Sequence, residues 1–219
     1  MPAPKPQPQL FLTSVWLGVF MVAATSQAED PESTEAENVA TNQPPLSVDV
    51  RQNVEDSFTP YRYAFVTAGQ ERYTFLVPDG FRVDGSDPAK VKLISPDYSC
   101  VITLGLAGAA LPAGAKLSKE TIRARIMAGH PSATVTTEHT ICADGQTAPA
   151  LDFVWTGDAG LTRSSRTALV PTAGGVVEFN VTTSPDRFQA CLAHFNLVLL
   201  TFCSGSDGKF EYVKGSRET

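Results

Sequence analysis

The chain has four cysteines in 219 residues and no C-x-x-C pair among them. It therefore lacks the paired ligands on which a structural zinc site is usually built. It has no basic stripe either. Its 17 Lys and Arg stand against 23 Asp and Glu, a formal net charge of −6. Binding a phosphate backbone needs clustered cations, so nucleic acid is excluded as a partner. The glycine-bearing turns GDAG (157–160) and AGG (173–175) do not match the longer G-x-x-x-x-G-K pattern of a phosphate loop. No apolar run reaches the roughly 20 residues that cross a bilayer.

The longest apolar run, LFLTSVWLGVFMVAA from Leu10, is instead the middle of an export signal. A short lead with one cation, Lys5, precedes it, and small residues at Ser26 and Ala28 follow it. This layout predicts a signal peptide over residues 1–28, cut after Ala28, and places the mature chain in the periplasm or outside the cell. The alternative is an uncleaved anchor, for which the run is short. No cysteine closely follows it, so a lipid-anchored form is not expected, nor is a stable membrane span after cleavage. Residues 29–57 then hold eight carboxylates against Arg51, with prolines at 31, 44 and 45. Such a segment cannot bury enough apolar surface to offset the ordering of its backbone, which predicts a solvated acidic linker. One domain over residues 58–204 follows, then a polar tail over 205–219, in which Phe210, Tyr212 and Val213 could form a short strand.

Inside the domain, apolar residues alternate with period two. Tyr73, Phe75 and Val77 share one strand face, as do Val91 and Leu93, then Cys100, Ile102, Leu104 and Leu106. Leu151, Phe153 and Trp155 form another such set, and Val177, Phe179 and Val181 a further one. The segment LTRSSRTALV (161–170) is more polar and reads as an exposed or edge strand, joined to the next by a hairpin at Gly174–Gly175. Two stretches have helical spacing. In SKETIRARIMAG, Ser118 caps, Ile122 and Ile126 share a face, and Gly129 with Pro131 ends the helix. In SPDRFQACLAHFNLVLLTF, Ser184 is the expected N-cap and Pro185 the first helical residue, with Phe188, Leu192, Phe195 and Leu199 on one stripe. Short hairpin connections between strands, with two helices, predict an α+β domain: an antiparallel β-sheet flanked by helices.

YTFLVPDGF (73–81), VKLISPDYSCVITLGL (91–106) and FQACLAHFNLVLLTF (188–202) together resemble the PsbP-like fold. That superfamily includes the extrinsic photosystem subunit, a Ran-binding import factor and bacterial secreted proteins. The resemblance covers about residues 60–204 and implies an α/β/α sandwich. It also implies a protein that binds, scaffolds or assists assembly, because the superfamily shares no catalytic constellation.

The residues offer several candidate chemistries. Export favours disulfides among Cys100, Cys142, Cys191 and Cys203, with three possible pairings. Cys191 and Cys203 lie about 18 Å apart if one helix carries both, too far to bridge. Unless that helix ends early, each must reach Cys100 or Cys142. Cys100 equally suits a buried apolar position. For a thiol nucleophile, His139 and Cys142 fall on opposite faces of a strand, whereas Cys191 and His194 are neighbours on a helix that would deny a substrate access. His130, before Pro131, reads as the end of a helix. Arg163 and Arg166, with Trp155 nearby, are the candidate ligand or partner surface; Arg62 and Arg72 are the other notable cations. No cofactor or metal is expected. The leading expectation is a secreted, non-catalytic domain that binds a protein or cell-envelope component. The alternative is a small-molecule or lipid binder with a pocket lined by Phe153, Trp155 and Phe195, and a thiol-dependent enzyme comes last.

Overall fold

The computed structural model describes residues 43–53, 61–108, 117–157 and 160–206. Eleven strands and two helices occur among them: β1 (Leu46–Asn53), β2 (Tyr61–Ala68), β3 (Glu71–Leu76), β4 (Arg82–Asp87), β5 (Lys90–Ile94), β6 (Cys100–Leu106), α1 (Lys119–Gly129), β7 (Thr134–Ala143), β8 (Gln146–Thr156), β9 (Thr162–Thr172), β10 (Gly175–Thr183), α2 (Phe188–Thr201) and β11 (Cys203–Ser206). They form a four-stranded sheet in the order β1-β2-β3-β11 and a seven-stranded sheet in the order β4-β5-β6-β10-β9-β8-β7. The pairings are antiparallel, as tight hairpins require.

Alternation along the strands divides the large sheet into two faces with separate cores. On one face α1 buries Ile122 and Ile126 against Leu151, Phe153, Leu169 and Val176. Ser118 caps α1 by accepting from Thr121 N, and Arg125 fastens it by donating to the Ala107 carbonyl (2.8 Å) and to Glu178 (2.8 Å). The other face is covered jointly by α2 and by the inner face of the small sheet. There Tyr73, Phe75, Phe179, Phe195 and Phe202 meet in the larger core. The Phe202 ring stacks on Tyr73 and meets Phe179 edge-on, with centroids 5.8 and 4.9 Å away. The Thr201 hydroxyl accepts from Leu76 N (3.0 Å) and donates to the Leu197 carbonyl (2.7 Å), which pins the end of α2 to β3.

Several sequence expectations change here. The α+β class with an antiparallel sheet holds, but the second flanking layer is only half helix, because the four-stranded sheet supplies the rest. β1 lies within the stretch 29–57 expected as linker. Leu46 is buried and Val48 half-buried there, while Val50 is exposed, and the strand pairs along its whole length with β2. β9 is not an edge strand. It sits between β10 and β8 and most of its residues are buried. Ser184 makes no side-chain cap; Pro185–Arg187 form a 3-10 turn, and α2 begins at Phe188. Phe202 turns extended, so Cys203 leaves the helix and starts β11. Residues 1–28, the acidic stretch up to residue 42 and the possible strand at 210–213 lie outside the described residues. Among those described, no helix is long and apolar enough to cross a membrane.

Candidate functional site

The three residues expected to form a surface do not converge. Trp155 and Arg163 are register partners on β8 and β9, on the α1 side of the large sheet, while Arg166 points to the opposite side. On the α1 side the Trp155 ring lies 4.0 Å from the His130 ring, and burial pulls the His130 pKa below its ordinary value. Trp155 Nε1 donates to Ser165 Oγ (3.0 Å), Ser165 contacts Thr182 (2.9 Å), Thr182 donates to Asn180 Oδ1 (2.8 Å), and Asn180 Nδ2 donates to Thr167 (2.8 Å). The hydroxyl hydrogens of Ser165 and Thr182 are committed within this relay, which knits β8, β9 and β10 together. Phe153 belongs to the core under α1 and Phe195 to the core under α2, so the pocket expected from Phe153, Trp155 and Phe195 does not form.

On the α2 side, Arg166 makes a two-pronged contact with Asp152. Its Nε lies 2.5 Å from Oδ1 and its Nη2 2.9 Å from Oδ2, with both side chains only 9% exposed. Register explains the match, because Asp152 and Arg166 are directly opposite on β8 and β9. His139 Nε2, from β7, is 2.9 Å from both Asp152 Oδ2 and Arg166 Nη2. One ring nitrogen cannot donate to the carboxylate and accept from the guanidinium at once, so the tautomer serves one partner at a time. The polarity that made β9 look exposed is thus a buried, internally paired cluster. Of the other two arginines, Arg62 donates to the Phe81 carbonyl (3.0 Å) and Arg72 lies on β3 of the small sheet.

All four cysteines are free thiols, Cys100 and Cys191 buried, Cys142 and Cys203 exposed. A crevice of about 340 Å³ is lined by Cys100, Cys191, His194, Asp97, Arg187 and Phe81, among others. The His194 ring packs on Phe81, with centroids 4.9 Å apart, and the Cys191 thiol contacts Cys100. Burial and that contact push the Cys100 pKa up, and burial and the charge of Asp144 do the same for Cys203. Both shifts suppress thiolate, the opposite of nucleophile activation. His139 and Cys142 stay apart, His139 turned to Asp152 and Cys142 to solvent, as their spacing predicts. At the rim, Asp97 Oδ1 accepts from Ser95 Oγ (2.7 Å), Ser99 Oγ (2.8 Å) and Ser99 N (3.1 Å), which lowers its pKa to about 2. These bonds close the β5–β6 turn.

One feature drew no attention in the sequence: β7, TVTTEHTICA, ends the large sheet. Its outer edge has no strand beside it among the described residues. Edge strands are commonly blunted by lysine, proline, shortness or a cover. At the opposite edge, β4 is short and bulged, and a Cβ at Gly85 would collide with Val48 of β1. β7 has ten residues, six of them β-branched, and no lysine or proline; a single bulge near Thr136 interrupts it. α1 anchors to it from one face, with Glu138 held by Lys119 (2.9 Å) and Arg123 (3.1 Å). α2 lies against it on the other. Its β-branched content is a strand signal, but nothing in the residues announces which side stays open.

No protein-family model and no curated protein matches the chain. Its structure is similar to the solution structure of cyanobacterial PsbP (CyanoP) from Synechocystis sp. PCC 6803, with a TM-score of 0.41, 14% identity, and 72% of this chain and 91% of that chain covered. It is also similar to LpqN, involved in cell envelope biogenesis of Mycobacterium tuberculosis (TM-score 0.42, 11% identity, 72% and 91% covered). A third similar structure is PA94, a protein of unknown function from Pseudomonas aeruginosa (TM-score 0.35, 18% identity, 56% and 88% covered). All three TM-scores are below 0.5 and all identities below 20%, so the matches are similarities only.

Proposed function

We propose that the chain is an exported, non-catalytic accessory domain that holds an extended segment of a protein partner along β7. The observation that carries this is the ten-residue edge left without a neighbouring strand among the described residues, whose backbone N–H and C=O groups are spaced to accept an added strand. Export rests on the layout of residues 1–28, and the acidic stretch after it would act as a spacer. The non-catalytic part is supported by how the reactive groups are used: Asp152, Arg166 and His139 serve one another, and the Cys100 and Cys203 thiols are held toward their neutral forms.

The flanks define the partner's chemistry. On the α1 side Lys119 and Arg123 hold Glu138, and Glu120 lies within reach of Glu138 and Arg123, so the exposed charges there are of both signs. On the α2 side Leu200 is 72% exposed and Leu197 37%. An added strand points alternate side chains to the two faces. The segment expected therefore carries polar or charged groups at one parity and apolar groups at the other.

A photo-crosslinking residue placed singly at Thr136, Thr140, Thr67 or Arg163 in the exporting cell tests this. The expected result is a discrete adduct with another protein from Thr136 and Thr140 and none from Thr67 or Arg163. Adducts of equal yield from all four positions, none from β7, or a product of two copies of this chain would overturn it.

A further inference from the structure

The crevice beside α2 brings together two thiols from distant parts of the chain. Cys100 opens β6 and is the register partner of Thr183, the last residue of β10. Thr183 Oγ1 donates to the Ser99 carbonyl (2.6 Å), so the segment that leads through Pro185–Arg187 into α2 starts beside Cys100. Cys191 follows on the buried stripe of α2 and meets the Cys100 thiol there. Cys100 is itself held firmly: its N–H donates to Ser95 Oγ (2.9 Å) and its carbonyl accepts from Ser95 N (3.0 Å). The other two cysteines sit elsewhere, Cys142 near the end of β7 and Cys203 at the start of β11, where Ser204 N donates to Asp144 (3.0 Å).

We infer that Cys100 and Cys191 are a redox pair that closes to an intramolecular disulfide, tying β6 to α2, when the folded chain meets a disulfide oxidant. The crevice gives a small disulfide access to the pair, although each cysteine is almost fully buried. The Cys191 thiolate attacks one sulfur of the oxidant, expels a thiolate and forms a mixed disulfide. Once Cys191 is held in the mixed disulfide its thiol no longer opposes ionisation of its neighbour, and the Cys100 thiol gives up its proton, attacks the Cys191 sulfur and expels the second thiolate. The two protons lost by the cysteines pass to the two leaving thiolates. The oxidant ends as two thiols, and no other electron acceptor is needed. Of the three connectivities open to four cysteines, this one matches the contact in the fold.

The full chain carrying Cys142→Ser and Cys203→Ser retains only the inferred pair, and both changes are at exposed positions. It is reduced, freed of reductant, exposed to oxidised glutathione, then denatured and alkylated. The expected product is two hydrogens lighter, takes no alkyl group, and yields a cross-linked peptide containing Cys100 and Cys191. Two alkylated thiols, or a glutathione adduct that never resolves, would overturn the inference. The unsubstituted chain gives an independent check: the same cross-link is expected, and peptides joining Cys100 to Cys142 or Cys191 to Cys203 would contradict it.

Discussion

The placement of Arg166 and Asp152 inside the molecule makes a quantitative demand. Arg166→Met keeps most of the side-chain volume and leaves the Asp152 carboxylate, 9% exposed, with only the His139 ring beside it. Stranding one member of a buried ion pair costs about 3–5 kcal/mol, against about 0–1 kcal/mol for a surface pair. With a urea m-value of about 2 kcal/mol/M, the lower figure moves the unfolding midpoint down by about 1.5 M. Asp152→Leu strands the guanidinium and is expected to cost a similar amount. The double variant Arg166→Met with Asp152→Leu removes both charges and should lose less than the sum of the single losses, with a coupling of about 2 kcal/mol or more. Circular dichroism through a urea titration of the four proteins reads all of this. Single-variant shifts under about 0.3 M with additive effects would mean that the pair is solvated, and the interior position of β9 would be wrong.

Two further outcomes concern pH. Asp97 is held to about pH 2 by the serine hydroxyls and the Ser99 amide, so its NMR-detected carboxyl titration is expected near there, with Ser95→Ala and Ser99→Ala together bringing it back toward 3.8. Because its folded pKa is depressed, its contribution to stability is present above about pH 4 and is lost as the pH falls toward 2; a titration near 4 in the intact chain would remove that linkage. Burial lowers the His130 pKa, so its ring should titrate below 6.5 and the fold should lose stability as the pH drops through and below that value. Trp155→Ala exposes the ring and should move the midpoint up, whereas a midpoint at or above 6.5 with Trp155 in place would contradict the packing.

The fold was partly legible because burial on one face leaves a period-two trace. The strands around Phe75, Leu93, Ile102, Phe153 and Phe179 carry that trace, as do the stripes of α1 and α2. Other elements hide it for identifiable reasons. β2 turns its small residues Ala64, Val66 and Ala68 inward and its larger Tyr61, Tyr63 and Phe65 outward, so the size contrast is reversed. β1 alternates correctly but lies in a carboxylate-rich stretch that argues for solvent. β4, with Asp84, Gly85 and Ser86, buries almost nothing. β9 misleads because its arginine and serines look wet, yet their partners Asp152 and Thr182 come from neighbouring strands. Cross-strand register decides that, and it is a property of the assembled sheet.

The site was less legible than the fold. Trp155, Arg163 and Arg166 are close in sequence terms and divided by the sheet in space. Cys100 and Cys191 are far apart in sequence and meet because β10 delivers α2 to the start of β6. The openness of β7 follows from the whole strand order: the same ten residues would be an interior strand if one more strand followed them in the sheet.

Residue-resolved amide hydrogen exchange on the isolated chain tests the central claim most directly. A free edge at β7 leaves every second amide of Thr134–Ala143 pointing to water, so alternate amides there should exchange rapidly while the amides of β9 remain protected through the whole strand. Uniform protection along β7, or rapid alternate exchange along β9, would contradict the strand order and the partner edge that depends on it.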